Sequence, residues 1–140
     1  MYNPDKYIRK AYIDAIELAT GLSVYDTSIP KDVQPLPKQY ILITAQSKQR
    51  TSISKQLWEW QCQVRVDIVS VNDMGYHSSV SVEDIEEIVI STIEAGLTIQ
   101  NFNNKSTRFL DSTPLPTETV TESIDRKIVD YEHWLNRAAA

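Results

Sequence analysis

Apolar and polar residues alternate along Leu57 to Val69, strictly so from Trp58 to Ile68. Trp58, Trp60, Cys62, Val64, Val66 and Ile68 fall on one side, and Glu59, Gln61, Gln63, Arg65 and Asp67 on the other. Side chains on a strand change faces at every residue, so this pattern predicts a strand with one buried and one wetted face. At ~3.3 Å per residue, thirteen residues span roughly 43 Å, well beyond the usual strand of about five or six. A strand of that length outruns the core of a small domain, and its surplus has to find a partner elsewhere.

Before it, residues 4–20 carry Ile8, Ala11, Tyr12, Ala15, Ile16 and Ala19 at spacings of three and four, the stripe of an amphipathic helix. Asn3 is placed to cap it, Pro4 suits its first turn and Gly21 its left-handed stop. A short strand is expected within residues 23–29, through Val24 and Tyr25. Pro30, Pro35 and Pro37 then predict a stiff extended connector. Tyr40-Ile41-Leu42-Ile43 marks a strand over 39–46 with both faces buried. The polar stretch 47–55 reads as a projecting arm. After the long strand, Asn72, Asp73 and Gly75 signal a turn.

Residues 81–95 predict a second helix, with Ser81 and Asp84 spaced as a capping pair. Its apolar stripe is Val82, Ile85, Ile88, Val89 and Ile93, and Gly96 ends it. Residues 98–123 show little periodicity, with three asparagines and six threonines, and read as a long loop or insertion. Residues 124–135 fit two elements. Ile124, Ile128, Tyr131 and Leu135 match a helix, whereas the alternation of Ile124 to Trp134 against Val129 to Leu135 matches a strand. Adjacent strands with short links point to a single α+β domain over 1–140, an antiparallel sheet packed against two helices.

Charge changes the picture. The chain has a net charge of −5, which argues against a general nucleic-acid binder. From Val66 to Asn104 there is no lysine or arginine, while Glu83, Asp84, Glu86 and Glu87 crowd the second helix. Such a face is either merely solvated or built to repel a polyanion. A chain of 140 residues with 41% hydrophobic positions can bury a proper core, and it contains no run long enough to cross a membrane as a helix. The opening residues lack the features of a signal peptide, so a cytoplasmic site of synthesis and assembly is expected.

Catalytic chemistry is thin. His77 and His133 are far apart, Cys62 is alone on the apolar face, and no close-spaced metal-ligand pairs occur. Glycine occurs only at 21, 75 and 96, so no phosphate-cradling loop is possible. Neither a metal nor a cofactor is expected, and no enzymatic activity. The candidate residues are instead those of contact. Trp58 and Trp60 stand two apart on one face, and aromatic residues are enriched at interface hot spots. Tyr131 and Trp134 bracket a second aromatic stretch. Lys48, Arg50 and Lys55 on the arm are available to a partner, a phosphate backbone or plain solvent.

The order of these pieces resembles the tail terminator (tail completion) and head–tail joining proteins of tailed bacteriophages. The likeness runs from about Tyr7 to Gly96. It consists of the opening helix, Val24-Tyr25-Asp26 leading into Ile29-Pro30, and the proline-rich approach to Tyr40-Ile41-Leu42-Ile43. The polar arm, the long alternating strand and the acidic helix before Gly96 follow. Asp130-Tyr131-Glu132 matches the acidic-then-aromatic last strand of that family, which favours a strand at 124–135. The arm composition and the length of 98–123 depart from the pattern. The resemblance implies a structural virion protein in a ring, most often a homohexamer with a dodecamer as the other copy number. It would sit at the junction of capsid and tail and touch other neck, connector or tail proteins.

On that reading Glu83, Glu86 and Glu87 face the lumen, where carboxylates let genomic DNA slide past without binding it. Two other readings compete: a small non-enzymatic adaptor working as a dimer, and a hydrolase whose carboxylates hold magnesium.

Overall fold

The computed structural model describes residues 3–34, 37–52, 58–73, 79–115, 117–118 and 122–137. Helix α1 (Pro4–Thr20) has the expected bounds. Asn3 Oδ1 accepts the Asp5 backbone N–H at 3.1 Å, Pro4 opens the first turn, and Gly21 closes the helix at φ 71°. That φ suits glycine, which has no Cβ to clash. Ile8, Tyr12 and Ile16, four apart, are fully buried. Helix α2 (Ser79–Glu94) starts two residues earlier than expected, so Ser81 lies inside its first turn rather than ahead of it. Val82, Ile85, Val89 and Ile93 are its buried stripe, while Ile88 is exposed.

The strands are β1 (Val24–Asp26), β2 (Gln39–Ser52), β3 (Trp58–Asp73), β4 (Phe102–Pro114), β5 (Thr117–Glu118) and β6 (Glu122–Arg137). They form one open sheet in the order β1-β2-β3-β6-β4, with β5 following β4 along β6. The pairs β2–β3, β3–β6, β4–β6 and β5–β6 are antiparallel, and β1 lies parallel to β2 at Ile41–Ile43. The architecture is α+β, as expected, with that one parallel edge. Helix α1 packs on β1 and β2, α2 packs on β3 and β6, and the helices pack on each other.

Two expectations change, and at 124–135 the structure takes the strand of the two alternatives. Residues 47–52 are not an arm but the second half of β2, paired with β3 from Ser47↔Gln63 to Ser52↔Trp58. The polar composition disguised a strand because main-chain pairing with β3, not an apolar stripe, holds it. Residues 98–123 are not one loop: among the described residues they hold β4 and β5, an edge paired along β6, with Phe102 buried in the core and Phe109 packed on Tyr131. Residues 124–135 are strand throughout. Their helical spacing arose because Val129, Tyr131, His133 and Leu135 face the core while Ile124, Ile128 and Trp134 are apolar residues on the opposite face.

The core lies between the sheet and the helices. Val24, Ile41, Ile43, Cys62, Val64, Val66, Ile68, Val129, Tyr131 and Leu135 meet Ile8, Tyr12, Ile16 and the α2 stripe. Cys62 is sealed among them, and burial pushes its thiol up to about 12, which makes it inert toward oxidants and metals.

Candidate assembly surfaces

Residues opposite each other on neighbouring strands share a face. The register therefore sorts the candidate residues. Trp60 points toward the helices, where it is half-buried against the core. Trp58 pairs with Ser52 at the far end of β3; its side chain and all of Lys55 lie outside the described residues, as does His77. Lys48 folds back over α1: its Nζ donates to Asn3 Oδ1 at 3.0 Å and pairs with Asp5. Arg50 is exposed on β2 across from Trp60. Tyr131 is a core residue with no exposed surface, its ring edge-on to Phe109 at 5.8 Å. Trp134 lies half-buried on the sheet face away from the helices, its indole N–H donating to Glu132 at 3.3 Å. The structure thus separates Trp60 and Trp134 onto opposite faces.

The acidic residues of α2 separate as well. Glu83, Asp84 and Glu87 are exposed. Glu86 turns toward the sheet, where it accepts the Ser112 hydroxyl proton and sits 3.9 Å from Lys127 Nζ. Helix α2 carries five carboxylates and no basic side chain, so its solvent side is a single-sign surface.

The face away from the helices carries charge pairs running across the strands. Arg65 grips Asp130 through both Nε (2.9 Å) and a terminal nitrogen (3.3 Å). Arg126 grips Asp67 in the same two-pronged way, and Lys105 Nζ lies 2.7 Å from Glu59. Gln61 donates to Glu132 at 2.9 Å. Asp67 is the buried member, 1% exposed among Val66, Ile68, Val69 and Ser70, all also buried. The sequence signal for it was a lone carboxylate inside an otherwise buried run; what could not be read was that Arg126, 59 residues on, would meet it. Beside Arg65 and Asp130, at the β2 bulge between Ile43 and Ala45, lies a depression of about 180 Å³ lined also by Gln46 and Gln63. Its charges are already paired to each other, so it offers no reactive group.

A further buried polar group is His133, which has no exposed surface. Its Nε2 meets the Tyr12 hydroxyl on α1, and its Nδ1 lies 3.2 Å from Thr107 Oγ1 and 3.3 Å from Asn104 Oδ1 on β4. One imidazole thus ties α1, β6 and β4 together. Burial lowers its pKa to about 4. An unfolded histidine titrates near ~6.5, so the unfolded chain takes up the proton first as pH falls. The neutral imidazole therefore contributes stability that is complete above ~6.5 and is lost progressively down to about 4, by about 3 kcal/mol in all. The comparison is with His133→Gln, which removes only the titrating ring. Urea unfolding at pH 7.5, 5.5 and 4.5 is expected to show the wild-type advantage shrinking as pH falls; an advantage independent of pH would rule this out.

Among the described residues no group of three or more histidine, cysteine or acidic side chains is placed to hold a metal ion, and no helix is long and apolar enough to cross a membrane.

With this geometry, the chain can be set beside known proteins. No family model matches it, and no curated protein matches it. A solved structure does: a chain from "Virion of native gene transfer agent (GTA) particle" superposes with a TM-score of 0.75. The two share a fold. The match covers 97% of this chain and 99% of that one at 13% sequence identity, so the likeness is one of architecture over the whole length. A second solved chain is matched at a TM-score of 0.49 and 14% identity, over 92% of this chain and 94% of its own.

Proposed function

We propose that this protein is a structural component of a phage-like virion, forming a ring at the head–tail junction that ends the tail or joins it to the connector and lets DNA pass. The observation that carries the proposal is the end-to-end fold match to a chain of a gene transfer agent virion. The sheet adds support, since β2, β3 and β6 run for 14 to 16 residues, well beyond the usual strand of about five or six. Head-to-tail contacts between copies close into rings when the rotation permits. The role needs positioning and self-association rather than turnover.

Two measurements test it. Light scattering with negative-stain micrographs of the purified protein should give rings of one symmetry, and a concentration-independent dimer would instead favour a small adaptor. The lumen assignment is tested separately. The proposed channel residues are Glu83 and Glu87, which are exposed, with Glu86 set back against Lys127. Repulsion of a phosphate backbone acts over a Debye length of ~8 Å at physiological salt. The double reversal Glu83→Lys/Glu87→Lys should leave assembly intact and lower DNA delivery by about tenfold or more, with partial recovery at higher salt. Normal delivery by assembled variant particles would remove α2 from the channel.

A further inference from the structure

The sheet is open, and its two edges are unlike. On one side β1 pairs with β2 only at Ile41–Ile43. From Ala45 to Ser52, β2 has β3 on one side and no strand among the described residues on the other. Those eight residues extend roughly 27 Å at ~3.4 Å each. On the opposite side β4 (Phe102–Pro114) pairs with β6 and with nothing beyond it among the described residues. Each edge therefore presents a row of main-chain N–H and C=O groups with no strand to receive them.

Monomeric proteins usually guard such edges with proline, bulges or outward lysines. Here the guards are weak. No proline interrupts residues 45–52, and β2 keeps unbroken register after its bulge. Between its two bulges β4 is regular from Ser106 to Phe109. The edge lysines are engaged within the subunit: Lys48 with Asn3 and Asp5, Lys105 with Glu59.

Strand directions settle how the edges fit. Strands β2 and β3 are antiparallel, as are β3 and β6, and β6 and β4. Hence β2 and β4 run in opposite senses. Rotation about an axis along the strands leaves every direction unchanged, so the β4 of one copy meets the β2 of the next antiparallel, the pairing the rest of the sheet already uses. We infer that neighbouring copies join by laying the strand-lacking side of β2 (residues 45–52) along the outer edge of β4, continuing one sheet from subunit to subunit. Closure removes both edges at once. The inference rests on the ring reading above and names its contact.

Amide hydrogen exchange read by mass spectrometry distinguishes the two. It is run on the full chain at a dilution where light scattering gives monomer and at a concentration where it gives the ring. Exchange in peptides covering 45–52 and 103–113 should slow by about tenfold or more on assembly, with β3, paired on both sides within one copy, as internal reference. A ring with neither edge protected, or only one, overturns the strand addition and leaves the ring standing. Protection of one edge alone in a dimer points to a two-fold pairing of like edges and overturns the head-to-tail contact. Failure to assemble at any concentration overturns both proposals.

Discussion

Arg126→Met is expected to destabilise the fold by about 3–5 kcal/mol, because it strands a buried carboxylate. Asp67 is 1% exposed and sits in the row Leu42–Asp67–Ile128, where nothing else cationic is opposite it. Arg126 reaches it from the next row and keeps 32% of its own side chain exposed. Water therefore enters from the arginine side, which places the cost toward the lower end of that range. The asymmetry of the pair gives the control. Replacing both residues by apolar ones of similar size, Arg126→Met with Asp67→Leu, should recover most of the loss, since no charge is left buried. Urea unfolding of the two variants measures both effects; a single variant within about 1 kcal/mol of wild type would mean the pair does not hold the sheet face together.

Tyr131→Ala is expected to cost about 3–5 kcal/mol, a large part of the ~5–15 kcal/mol that holds a typical domain folded. The ring has no exposed surface and packs edge-on against Phe109. Removing it opens a cavity under β4 and β6 that the long strands cannot collapse to fill. The thermal midpoint should fall by roughly 10–20 °C. Tyr131→Phe is expected to behave in the opposite way. The hydroxyl is buried and has no hydrogen-bond partner among the described residues. Burial also pushes the phenol well above its ordinary range, so it stays neutral. Deleting that oxygen removes a desolvated polar atom and loses no bond, so stability should hold or rise slightly. A loss from Tyr131→Phe as large as that from Tyr131→Ala would show that the oxygen, not the ring, matters.

The two variants also explain the triplet Asp130-Tyr131-Glu132. Asp130 and Glu132 meet Arg65 and Gln61 on the sheet's outer face, while Tyr131 fills the core. An acidic, aromatic, acidic sequence is what a strand with one wet and one dry face requires. The same triplet suggested a helical stripe only because Tyr131 happens to stand three residues after Ile128 and four before Leu135.

Much of the architecture was legible in local pattern. Helix α1 was readable to the residue because its cap, its stripe and its stop all reported the same element. The long strand was readable because the strict alternation from Trp58 to Ile68 cannot be helical. The polar half of β2 and the whole of β4 were not readable. Their side chains, Ser47, Gln49 and Thr51 or Asn103, Ser106 and Thr113, carry no apolar period. What makes them strands is main-chain pairing with partners distant in sequence.

The candidate site divides along the same line. The acid content of α2 and the absence of lysine and arginine from 66 to 104 are properties of composition and were visible at once. Which carboxylates remain exposed was decided by the helix rotation that buries Val82, Ile85 and Val89 and turns Glu86 toward Lys127. The amino-acid order by itself determined the two helices, the long two-faced strand and the sign of the charge, because each depends on neighbours within a few residues. Only the tertiary structure decided that Arg126 meets Asp67, that His133 meets Tyr12, and that two strand edges of opposite sense stay open. Those facts depend on which strands lie side by side, and hydrogen bonds between strands are formed by the backbone, which every residue shares.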